Sequence, residues 1–363
     1  MAFQAGLDNR TPFPAESFVL PDKDGQENLL VVLAATFTVD QRNVLTLAEE
    51  PSPVRAADVH NAEPVLSSVR YEADVALEKP LVDVLVNGRA YAPHGRPAAQ
   101  VAAGITVGDI RKVLLVHGDR EWRFARDLSG AEPFTTMPII YERAFGGTDV
   151  QSKSCDPRNP VGVGFRGVGS RDAMIRTEAP NVEYPNALLK RRGDTAPPAG
   201  FGVVGRGWQP RVRLAGTFDE RWLKEQWPLL PLDFDVRHYQ AAPVDQQSAT
   251  LRGGEVARLV NLTPDGEWTF RLPTLDVPVH LFYEDRRHQA ALRLDTVLIE
   301  PDLRRITLTA RAHFVTIRNR GLLRQIVVGH MTAGQIRARA TRKRYIGRDE
   351  SDGILSSESV YRL

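Results

Sequence analysis

Two stretches of this 363-residue chain, Gly162-Val-Gly-Phe-Arg-Gly167 and Gly200-Phe-Gly-Val-Val-Gly205, carry the Gly-x-Gly-x-x-Gly spacing of a dinucleotide-binding turn. That spacing does chemistry only where it closes a strand and aims the next helix's N-terminus at a pyrophosphate. The first copy follows the turn-rich Cys155-Asp-Pro-Arg-Asn-Pro160 and leads into Val168-Gly-Ser170, with no apolar helical stripe. The second follows Thr195-Ala-Pro-Pro-Ala199, and Pro210 ends any helix that might start there. No Gly-Lys-Ser or Gly-Lys-Thr sequence is present. Both copies are read as structural glycines that allow tight turns and close backbone approach, and no cofactor is expected.

Other reactive residues are equally scattered. The eight histidines, at 60, 94, 117, 238, 280, 288, 313 and 330, never take the i, i+4 spacing of a zinc helix, and Cys155 is the only cysteine. No metal site is expected. A glycan or cell-wall hydrolase would need two carboxyls about 5–10 Å apart across a cleft. Asp219, Asp233, Asp235, Asp245 and Glu255 are the acids it could draw on, though capping and structural roles account for them as well. Residues 333–348 hold Arg337, Arg339, Arg342, Lys343, Arg344 and Arg348 and no acid, enough for salt-sensitive contact with a nucleic acid. Tyr345 is the one aromatic among them, so a base-stacking platform is poorly supported, and a solvated face or a dock for an acidic partner fits equally. Trp208, Trp222 and Trp227 lie near Arg206, Arg211 and Arg221, residue types that dominate interface hot spots. Trp222 and Trp227 are expected to fill the core.

The elements around these residues read mainly as β. Leu29–Asp40 is a long apolar run, and Ser67–Leu77 alternates as a strand with one wet face. Leu81–Val86 is followed by the tight-turn pair Asn87-Gly88, and Lys112–His117 with Glu121–Phe124 reads as a hairpin through Gly118. Residues 127–250 are rich in glycine and proline, with one helix near 217–227 opened by a Thr217/Glu220 capping box. Strands return at Ala257–Leu262, Trp268–Leu272, Val279–Tyr283, Ala290–Ile299 and Arg305–Ile317, and a basic helix at Ala333–Tyr345 ends at Gly347. The expected organisation is an N-terminal β domain at 1–126, a loop-rich middle at 127–250 and a C-terminal β region at 251–363, the last two forming one domain in an alternative reading. The two β regions would be antiparallel sandwiches or barrels. The net charge of +2 conceals a local basic segment, and no run approaches the roughly 18 apolar residues of a membrane span. With no secretory signal at the N-terminus and one cysteine, a cytoplasmic location is expected.

A long ordered series of blocks resembles the DUF2169 family. It includes Tyr141-Glu-Arg-Ala-Phe-Gly-Gly147, Asn159-Pro-Val-Gly-Val-Gly-Phe165, Pro180-Asn-Val-Glu183, Gly200–Arg211, Ala215–Leu223, Pro228–Asp235, Ala242–Gln246 and Gly253-Gly-Glu255, within about residues 7–315. Two departures are Ala34-Ala-Thr-Phe37, where Lys-Ala-Thr-Phe is expected, and Ala310-Arg311, where Trp-Arg is expected. The resemblance implies a non-enzymatic cytoplasmic adaptor or chaperone. Such a protein would hold a toxic effector or a PAAR-type tip and load it onto a type VI secretion spike. Residues 141–167 and 200–255 would then form a ledge, with Arg143, Phe145, Arg166, Arg206, Trp208 and Arg211 as partner contacts.

Overall fold

A computed structural model describes residues 6–40, 42–123, 127–168, 177–315, 322–345 and 361–362. It is mainly β, and none of its sheets closes into a barrel. The largest sheet has seven strands. Its path runs Ala15–Pro21, Glu27–Val39, Arg305–Val315, Arg293–Glu300, Val82–Val86 and Gln247–Ser248, with Leu45–Leu47 pairing beside Glu27–Val39. A five-stranded antiparallel sheet contains Val182–Glu183, Ile110–His117, Gln100–Val107, Val256–Val260 and Glu267–Arg271. A four-stranded sheet joins Gly6–Asn9, Leu323–Val328, Pro278–Tyr283 and Arg287–Ala291. The pairing is not purely antiparallel: Val82–Val86 runs parallel to Arg293–Glu300, and Gly6–Asn9 runs parallel to Leu323–Val328.

The period of two explains how the large sheet is used. Leu29, Val31, Leu33, Ala35 and Phe37 point into the main apolar core, with Val84, Val297, Ile299, Ile306 and Leu308 from neighbouring strands. The other face is buried too, but it is mixed: Leu30, Val32, Ala34, Leu85 and Leu298 share it with Thr36, Asp83, Thr296, Glu300, Thr307, Thr309 and Arg311, all under 9% exposed. Arg311 pairs with Asp295 and donates to the carbonyls of Asp74 and Ala76 at 3.0 and 2.8 Å. Lys79 reaches Asp83 at 2.8 Å and Thr296 at 3.0 Å. The Arg of the Ala310-Arg311 departure is therefore a buried charge with full partners.

Segment 67–79 covers the polar part of that face, which corrects the expected strand. Only Val69–Tyr71 is extended pairing, and the side read as wet is partly buried, with Ser68 at 1% and Asp74 at 8% exposed. Its polar groups meet the sheet's polar groups instead of water. Two expected hairpins also differ. Arg89–Tyr91 leaves Val82–Val86 to pair with Thr136–Pro138, and Ile110–His117 turns back through Gly108 onto Gln100–Val107. A Cβ on Gly118 would lie 1.7 Å from the Glu132 carbonyl oxygen, so this glycine marks close approach between segments. The expected strand ends at Phe124 and Ile317, and Gly347 and Arg348, lie outside the described residues.

Candidate functional site

The middle blocks are built around one buried asparagine. Asn159 donates through Nδ2 to the carbonyls of Tyr141 and Phe145, at 2.8 and 3.0 Å, and its own carbonyl accepts the Gly147 amide at 2.7 Å. These contacts leave no room for side chains. A Cβ on Gly146 would stand 2.2 Å from the Asn159 carbonyl oxygen, and one on Gly162 would stand 2.3 Å from Nδ2. Phe145–Gly146 then pairs in parallel with Val163–Gly164. Gly146, Gly147 and Gly164 all adopt positive φ, a region in which glycine is at ease.

The second glycine stretch solves a different packing problem. Gly200 lies against the Tyr141 ring and Gly205 against the Trp208 indole, where added Cβ atoms would come within 3.0 and 2.8 Å. Tyr141 and Trp208 meet edge to face, centroids 5.4 Å apart at 88°. Among the described residues neither glycine stretch stands between a strand and a helix N-terminus, in keeping with their reading as structural glycines.

The structure separates the six expected contact residues into surface and support. Arg143 is partly exposed and bonds Asp119 and Asn181, both at 3.1 Å. Arg206 is partly exposed and bonds Glu72 at 2.7 Å. Arg166 lines an open cleft. Phe145 is 1% exposed and packs with Trp122, Ala179, Leu189 and Ala196, so it cannot touch a partner. Arg211 is 4% exposed, pairs with Glu72 and donates to the carbonyls of His238 and Val204 at 2.7 and 2.8 Å. Trp208 is half-buried against the core. Phe145 and Arg211 hold the ledge and do not present it, while Trp208 keeps part of its surface open. Trp227, expected in the core, is 64% exposed.

The cleft has a volume of about 350 Å³. Gly146, Gly147, Gly162 and Gly164 form its wall, Trp122 and Phe165 add apolar surface, and Val150, Arg166 and Glu178 also line it. Sequence reasoning named the glycines and Arg166 but missed Asn159 as their organiser. The Asn-Pro pair at the head of its block was the available signal.

The candidate acids are committed elsewhere. Asp219 caps the helix Glu220–Glu225 through the Trp222 amide at 2.8 Å, the role expected of Thr217. Thr217 instead donates its amide and hydroxyl to Asp233, at 2.9 and 2.8 Å. Asp235 caps Val236–Tyr239 and pairs with Arg237, and Glu255 accepts the amides of Arg252 and Gly253. Asp245 accepts from Lys112 at 2.9 Å and Tyr184 at 3.2 Å. Burial pushes the Lys112 ammonium down to about 8, with Asp245 opposing the shift. Burial raises the Glu183 carboxyl, but hydrogen bonds from the His117 ring and the Leu189 amide, with Arg120 beside it, hold it below the ordinary range. Among the described residues, no group of three or more His, Cys, Asp or Glu side chains could hold a metal ion, and no helix is long and apolar enough to cross a membrane.

Fold and site together define a mainly β protein with a glycine-walled surface cleft. The chain belongs to the family described as "Uncharacterized protein conserved in bacteria (DUF2169)", which it matches over residues 24–311. No curated protein and no solved structure matches it.

Proposed function

We propose that this chain is a non-enzymatic adaptor that seats a segment of another polypeptide in the glycine-walled cleft. In the cell this would be a cytoplasmic chaperone that carries a toxic effector or PAAR-type tip to a type VI secretion spike. The cleft wall carries the reading. Gly162 and Gly164 are partly exposed in that wall, Gly146 and Gly147 are buried, and the Cβ directions of all four run into neighbouring protein atoms, so this part of the wall is close-packed main chain. Behind them Asn159 and the buried Phe145 fix the wall, so little ordering cost falls on binding. The hydrolase alternative has no observation in its favour, since its five acids are held in caps, turns and ion pairs.

The test is co-purification of the chain with a co-encoded effector or tip protein, using Val150→Asp combined with Arg166→Glu. Val150 is 85% exposed, so folding is expected to survive, as a thermal melt would verify. Capture should fall by about tenfold or more, the cost of disabling an interface anchor. Undiminished capture by the folded variant rejects the cleft as the seat.

A further inference from the structure

Some surface arginines of this protein meet a carboxylate, among them Arg89, Arg123, Arg237 and Arg258, while others, such as Arg42, Arg96, Arg111 and Arg191, are exposed singly with no ion pair among the described residues. One face gathers several unpaired bases together. The helix Ala333–Ala340, opened by a Thr332/Gln335 capping box, lies over the four-stranded sheet, tied through Arg10 to Gln335 and through Arg339 to Asp8 and Gln325. Arg337 on that helix, and Arg342, Lys343 and Arg344 just beyond it, are exposed, and no ion pair is found for them among the described residues. The turn 284–287 adjoins them: Glu284 pairs with Arg324 at 2.5 Å and also feels the charge of Arg342. That turn adds the exposed Arg286 and Arg287 against a second acid, Asp285.

We infer that this face docks an acidic stretch of a polypeptide partner. Clustered like charges repel one another, and several bases gathered on one face without carboxylate partners among the described residues make a local positive field that draws an external anion. The chemistry favours carboxylates over nucleic acid. Tyr345, the one aromatic at 333–345, packs over Gly334, where an added Cβ would lie 2.8 Å from its ring, and the Tyr283 ring is covered by Arg286 at 4.6 Å. A run of stacked bases would find no row of open rings there. The inference does not rest on the cleft.

The test is a titration of the full chain with a fluorescent oligoglutamate peptide and, separately, a single-stranded oligonucleotide of equal charge, at low and physiological salt. The peptide is expected to bind at low salt and to weaken as salt rises. The triple variant Arg337→Glu, Arg342→Glu, Lys343→Glu is expected to lose about tenfold or more in affinity with its melting temperature kept. Should the triple variant melt early, Arg342→Glu with Lys343→Glu, both beyond the helix, provides the same comparison. No peptide binding at low salt, or equal binding by the folded variant, overturns the inference. An oligonucleotide that binds tenfold tighter than the peptide also overturns it and makes the face a nucleic-acid surface.

Discussion

At the scale of single residues, the cleft depends on atoms that never face it. Asn159→Ala removes two hydrogen bonds from buried carbonyls and opens a void beneath Gly146 and Gly162. A loss on the order of 2–4 kcal/mol is expected in chemical denaturation, because orphaned buried acceptors cost more than the bonds contributed. A loss under about 0.5 kcal/mol, typical of a surface change, would contradict this view of Asn159. Arg211→Ala is expected to cost about 1–3 kcal/mol, because it orphans the His238 and Val204 carbonyls while Arg206 still partners Glu72, so a loss of binding in that variant must be read beside its melting temperature. The six residues chosen from sequence show why composition alone misleads. Arginine and tryptophan mark interfaces and also mark buried junctions, and only burial separates Arg143 and Arg206 from Arg211.

At the scale of elements, the sequence was most readable where one apolar period ran uninterrupted. Glu27–Val39 and Arg305–Val315 lie within one or two residues of their expected starts, because each forms a central strand buried on both faces. Turn chemistry was less reliable. Asn87-Gly88 and Gly118 look like hairpin tips, yet the chain changes sheets at both, and their glycines meet Pro301 and the Glu132 backbone. Alternation in 67–77 was real, but the polar part of a sheet face replaced the water it seemed to require. The short helix shows the same competition, with Asp219 capping it while Asp233 holds Thr217. Asp219→Ala should therefore cost about 1 kcal/mol, measured by urea denaturation. No change on removing the Asp219 carboxylate would mean the cap is not where the structure puts it.

At the scale of the whole molecule, two buried groups make stability depend on pH. Lys112 is pushed down to about 8 from 10.5, so between those values the unfolded chain holds the proton more tightly. Stability should rise with pH across that window, and Lys112→Met should flatten the rise in denaturant midpoints. Glu183, held below its ordinary range, gives the same sign in an acid window. Its contribution is present above the unfolded carboxylate value and is lost as pH falls through the lowered one. The mainly β class was legible from short strands and close turns. The loop-rich middle was not, because its order comes from long-range contacts such as Asn159 to Tyr141 and Glu142 to Ser68. The most direct test is hydrogen exchange on the chain alone and with its co-purified partner bound. Protection concentrated at residues 144–148 and 162–166 is the expected result. Unchanged exchange there, with protection elsewhere, would contradict the cleft as the binding seat.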